Sequence, residues 1–238
     1  NLIFVANSCN VTVAHKAIAC LTVPGIGRNL TLNLTVVDLS SDTSAVAISY
    51  APPSISDLQI LNGGNFSLLP TNGSRTLFNV SGASYGPTTS RGFIKIEFWY
   101  GTQRVWESAR ITAVDQTFVF AYSPDGVGGG FAFRIQVGGQ YSQIYSGAGL
   151  SYAPPILMSW NATAAGIKTN GGETVRFIGD NFGVIGTRFQ VSTVPKVVDD
   201  FKSCRISAEH TAIDCQTPEG DGEISILITV VSAFGANQ

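Results

Sequence analysis

The chain has 238 residues, with 14 basic and 16 acidic side chains, a formal net charge of −2 and a sequence pI near 5.6. That balance offers no basic stripe to a phosphate backbone, which excludes nucleic acid as a partner. Charged residues make up 13%, Gly numbers 26 and Met occurs once, a mix found in β-rich extracellular modules rather than helical enzymes, and no apolar run approaches the ~20 residues that span a bilayer.

The first predicted element is "LIFVANS", read as a middle strand of a module whose earlier part is missing. A hairpin follows in "CNVTVAHKAIAC", where Cys9 and Cys20 have the spacing Cys-x10-Cys. After the turn "GIG" comes "NLTLNLTVV", expected as one strand: alternation sends Leu30, Leu32, Leu34 and Val36 to one face and Asn29 and Asn33 to solvent. The stretch ends at "SYAPP", Ser49 to Pro53.

Next come the turn and strand of "TNGSRTLFNVSGASYG", Thr71 to Gly86. Its "GASYG" fits the Gly-x-Ser-x-Gly pattern of a nucleophile elbow, which needs a strand-to-helix turn and a His–acid pair. A second copy of the turn, "GDNFG" at 179–183, has Asn181 at the third position, so both are read as strand-to-strand glycine turns and no catalytic residue is assigned. In "FIKIEFWYG" alternation buries Ile94, Ile96, Phe98 and Tyr100 and turns Lys95, Glu97 and Trp99 outward. Trp99 and Trp106 are therefore candidate contact aromatics, for a protein partner or a sugar; the alternative puts Trp106 in the core and Trp99 under its neighbours. The cluster "GVGGG" lacks the spacing of a phosphate cradle and aligns with "GIG" and "GDG" as a turn. The strand "FAFRIQV" and a second "SYAPP", Ser151 to Pro155, complete this part.

The last part repeats the order: "TNGGETVRFIGDNFG", the hairpin "CRISAEHTAIDC" with Cys204 and Cys215, the turn "TPEGDG" and the strand "EISILITVV". His15 and His210, the two histidines of the chain, hold the same place in two hairpins and read as polar turn residues. Glu219, Asp221 and Glu223, with Asp199 and Asp200, offer oxygens of the kind calcium takes, but no glycine-pinned ligand loop accompanies them, so they read as solvated acidic turns and no metal or cofactor is assigned.

Aligning Cys9–Gly27 with Cys204–Gly222 superimposes both cysteines, the His, an Ile, a Thr and a Gly. The middle copy aligns with Ala109 and Phe120 at the cysteine positions. Repetition of this kind, in short strands with frequent turn signals and no 3.6-residue period, predicts all-β sandwiches of about 100 residues. The "APPxI" lead-in, "TNGGETVRFIGDNFG", the Cys-x10-Cys hairpin and "TPEGDG" resemble the IPT/TIG domain, an immunoglobulin-like sandwich. The resemblance implies tandem modules that bind or space and have no catalytic residues of their own. On that division residues 1–50 are the C-terminal part of a first sandwich, 51–152 a complete one without cysteines, and 153–238 a third lacking its last strand.

Four cysteines in two equally spaced pairs read as the disulfides Cys9–Cys20 and Cys204–Cys215; a zinc site is the alternative, poor with two sulfurs per module. Seven Asn-x-Ser/Thr acceptors start at Asn10, Asn29, Asn33, Asn65, Asn72, Asn79 and Asn161, more than composition alone leads one to expect, and point to a secreted, N-glycosylated protein. The expectation is a structural extracellular or cell-surface glycoprotein without membrane insertion in this segment, its partners other copies of itself or neighbouring modules in a linear assembly, with strand complementation as one way of joining them end to end. A ligand-binding or adhesive receptor ectodomain is the alternative.

Overall fold

The computed structural model describes residues 3–107, 110–162, 167–194, 200–223 and 225–231. Among these the chain is all β, apart from two short 3-10 turns at Gly73–Arg75 and Thr88–Phe93. Every strand pair within the sheets is antiparallel.

The strands between Ser54 and Leu150 form a two-sheet sandwich. One sheet has the order β11-β12-β8-β7, from β7 (Ser54–Ile60), β8 (Leu77–Ala83), β11 (Ile111–Val114) and β12 (Phe118–Tyr122). The other runs β10-β9-β13-β14, from β9 (Ile94–Tyr100), β10 (Gln103–Glu107), β13 (Phe131–Val137) and β14 (Gln140–Tyr141), with β15 (Tyr145–Leu150) also pairing with β13. The alternation of "FAFRIQV" explains the arrangement: Phe131, Phe133, Ile135 and Val137 are buried and the residues between them half-buried. They meet Phe78, Val80, Val119 and Ala121 of the facing sheet in one apolar cluster.

The C-terminal part repeats this order. The sheet β19-β20-β17-β16 is built from β16 (Ile156–Ala162), β17 (Thr174–Asp180), β19 (Lys202–Ala208) and β20 (Ala212–Gln216). It faces the pair of β18 (Arg188–Val194) and β21 (Ser225–Val231) across a core of Val175, Phe177, Phe182, Val191 and Ile213. Here the cover is thinner. Trp160 stands opposite the fully buried Phe177 yet is 51% exposed.

The N-terminal part contains the hairpin of β1 (Asn7–Val13) and β2 (Ala17–Leu21), then the small pairs β3 (Leu30–Thr31) with β6 (Ala47–Ile48) and β4 (Thr35–Val36) with β5 (Leu39–Ser40). Two expectations are corrected. The stretch "LIFVANS" enters a strand only at Asn7, and "NLTLNLTVV" is broken into two-residue pieces. Leu32, Leu34 and Val36 are exposed, so among the described residues no opposing sheet covers them to reward a continuous strand, and Asn29 and Val37 adopt left-handed backbone at its two ends. Among residues 3–50 burial is confined to Gly25, Ile26 and Gly27.

The middle hairpin also needs a new alignment. Gly82 and Gly179 donate to the equivalent carbonyls of Thr117 and Thr211, Ala121 lies opposite Phe78, and Cys215 lies opposite Val175. Counting four residues back from each glycine makes Ala121, not Phe120, the counterpart of Cys215. The middle hairpin turns one residue sooner, and Phe120 points to the outer face.

Candidate functional site

The residues that stand out structurally lie where one repeat meets the next. At the first joint Ile26, between two glycines of its turn, is 2% exposed and belongs to the apolar core cluster of the two-sheet sandwich that follows it. It rests on Gly86, whose φ of +86° favours glycine and where a Cβ would overlap Ile26 Cγ2. Ser90 closes the other side, its hydroxyl donating to the carbonyl of Tyr85 at 3.0 Å. Tyr50 fixes the turn from behind: its N–H donates to Gly27 O at 3.0 Å and its hydroxyl to Val23 O at 2.8 Å. The Gln140 amide then donates to both Gly27 O (3.1 Å) and Tyr50 O (3.0 Å).

The second joint uses the same parts. Val127 replaces Ile26, and a Cβ on Gly183, whose φ is also +86°, would come 2.9 Å from Val127 Cγ1. Thr187 takes the place of Ser90. Tyr152 donates its N–H to Gly128 O and its hydroxyl to Pro124 O, both at 2.8 Å. Burial, with Asp125 nearby as the lesser cause, pushes the Tyr152 phenol well above its ordinary range, so it stays a donor.

A polar layer surrounds this second joint. Thr71 Oγ1 and His210 Nδ1 are 2.8 Å apart, and the Thr71 N–H donates to Asn181 Oδ1 at 3.2 Å. Arg75 and Asp180 pair at 2.8 Å on the outside. Asp125 accepts the Gly73 N–H at 2.8 Å and lies 3.9 Å from His210 Nε2. Both histidines occupy left-handed turn positions, at φ 59° and 64°; His15 is exposed, whereas His210 is buried in the joint. In the third copy the residue between the turn glycines is Asp221, which is exposed.

The sequence-derived candidates fall elsewhere. Both disulfides are formed, with Cα–Cα distances of 4.0 Å for Cys9–Cys20 and 4.1 Å for Cys204–Cys215. Asn10, Asn29, Asn33, Asn65 and Asn161 are exposed, while Asn72 and Asn79 are half-buried. Asn72 caps the 3-10 turn by accepting the Ser74 N–H.

The alternation expected for β9 holds at Ile94, Ile96 and Phe98 but fails at two positions. Tyr100 is exposed, and Glu97 is 2% exposed. Glu97 leaves water because two guanidiniums take its oxygens, Arg134 Nε at 2.6 Å and Arg104 Nη1 at 3.2 Å. Arg134 in turn lies between Trp99 and Tyr141, 4.5 and 4.0 Å from the ring centroids. Trp99 is thus half-buried under an arginine rather than open as a platform. The Trp106 side chain lies outside the described residues, as do Ala109 and Asp199. Among the described residues no group of three or more His, Cys, Asp or Glu side chains converges as a metal site.

Sequence reasoning missed Ile26, Val127, Thr71 and Arg134. The first two left a signal, an apolar residue held between turn glycines in two of three copies. No family model matches the chain, and no curated protein matches it.

Proposed function

We propose that this chain is a structural extracellular glycoprotein built of tandem IPT/TIG-type modules (1–50, 51–152 and 153–238), serving as a link in a linear cell-surface or filamentous assembly. The observation that carries this reading is the repeated joint. Two successive junctions use the same apolar plug, the same glycine seat and the same tyrosine latch, so the modules are held in a defined relation instead of swinging on a linker. Such a chain transmits position and tension. Two disulfides, the acceptor sites and the absence, among the described residues, of a helix apolar and long enough to cross a membrane are compatible with an oxidising, extracellular setting.

The apolar surface adds a reason for association. Val11, Val13, Leu21, Leu32, Leu34 and Leu39 are exposed in the N-terminal part, and Met158, Trp160 and Leu227 in the C-terminal part. Where such residues form a contiguous patch they mark a contact surface. Strand addition between neighbours would cover them and satisfy unpaired sheet edges. A head-to-tail contact that does not close would propagate as a filament.

Negative-stain microscopy of native material, with size determination under mild denaturation, tests this. Fibres with a regular axial repeat that dissociate to a unit of about 25 kDa, the mass of this chain, support it. Single particles that remain single at high concentration would overturn it in favour of an adhesive or ligand-binding ectodomain.

A further inference from the structure

We propose that the outer face of β8 and β12 is a carbohydrate-binding platform for the chain's own glycan, the first sugar on Asn79 lying against Phe118 and Phe120. This rests on the glycoprotein reading above and deepens it at one site.

The register makes the argument. In "NVS" the two outward residues are Asn79 and Ser81, and their partners on β12 are Phe120 and Phe118 respectively. The acceptor and both rings therefore share one face of the sheet, with Val80 and Val119 buried on the other. Directly opposite residues bring Cβ atoms to about 4.5–5.5 Å and diagonal ones to about 7–8 Å, within reach of a sugar carried on the Asn79 amide. Phe118 and Phe120 stack on each other, centroids 4.7 Å apart at an interplanar angle of 29°, and together present one half-buried aromatic surface. The C–H bonds on one face of a pyranose carry partial positive charge and suit the negative face of an aromatic ring. The Asn79 Oδ1 is buried without a hydrogen-bond partner. That is costly for a bare amide.

In the flanking copies the two strands of the equivalent hairpin are stapled to each other by Cys9–Cys20 and Cys204–Cys215. The middle hairpin of β11 and β12 has Ala121 at the position of Cys215, and a sugar on Phe118 and Phe120 would tie β12 to its other neighbour, β8, from outside.

The test uses the full chain secreted from a glycosylating host, with Asn79→Gln, the double variant Phe118→Ser/Phe120→Ser and all three changes together. Glycopeptide mapping comes first. Sugar at other acceptors with Asn79 bare overturns this proposal alone; sugar at none overturns the glycoprotein reading as well. With Asn79 occupied, losing the glycan should lower the melting temperature of the middle sandwich by about 4 °C or more in the parent and by little in the Phe118→Ser/Phe120→Ser background. Equal losses in both backgrounds would sink the stacking. If the double variant does not fold, the parent itself decides: with isotope-labelled sugar, ring-current shifts on the first residue's protons support the contact, and their absence refutes it.

Discussion

A carboxylate at 2% exposure between the buried Ile96 and Phe98 is decided by its partners. Glu97 has given up water for Arg134 and Arg104, and removing one partner leaves a buried charge under-compensated. Arg134→Met should therefore destabilise the middle sandwich by about 3 kcal/mol, while Arg134→Met with Glu97→Met recovers most of that loss; urea midpoints of the two variants give the comparison. A loss under about 1 kcal/mol would mean that Arg104 or water suffices. A second carboxylate makes a pH-dependent case. The Arg176 guanidinium, donating to Asp214 at 2.7 and 2.8 Å, holds the Asp214 carboxyl below its usual range, with Ser207 assisting. Because the folded value is the lower one, the stabilisation is complete above the ordinary carboxylate range and fades as the pH falls through the folded value. Asp214→Asn should thus be less stable than the parent at pH 7 and indistinguishable from it in strong acid, measured by melting across that range. At this scale the sequence disclosed the buried apolar residues of β9, since a period of two is local. It hid Glu97, because its neutralising arginines come from β10 and β13.

Hairpins show how far local reading extends. The spacing of cysteines and the repeat itself made both disulfides legible, and each closes a loop of sequence separation 11. The loop-entropy estimate assigns about 3 kcal/mol to a closure of this size. Cys215 is fully buried in the C-terminal core, so reduction and alkylation should lower the melting temperature of the C-terminal sandwich and leave the middle one in place. Calorimetry resolves this, and a uniform downward shift of all transitions would contradict it. Register was less legible. Phe120 aligned with the cysteines by counting from one side, but the middle hairpin reverses one residue earlier and presents Ala121 instead. Turn length shifts every following residue to the other face, and nothing in "VDQTF" announces that its loop is the shorter. The broken strand at "NLTLNLTVV" failed for a different reason. Its alternation is sound, but alternation builds a strand only when another layer covers the apolar side.

At the scale of the whole chain, the all-β architecture was legible from sequence and the joints were not. A joint depends on which atoms of one repeat meet which atoms of the next, and only the glycine-flanked Ile26 and Val127 gave a local sign. In the third copy Asp221 stands between the turn glycines, where the first two copies have Ile26 and Val127. Writing that change into the second joint as Val127→Asp would set a carboxylate against Gly183, two residues from Asp125. The two sandwiches should each keep their own cores, because Val127 belongs to neither core cluster. Only their relation should loosen. We expect proteolysis at residues 151–156 to quicken, and small-angle scattering to report a broader range of lengths, with little change in either melting transition. An assembly that depends on rigid joints should then fail to form regular fibres although its subunits remain folded. Fibres of unchanged order from Val127→Asp chains would show that the joint carries no load, and association would have to be traced to the exposed apolar faces alone.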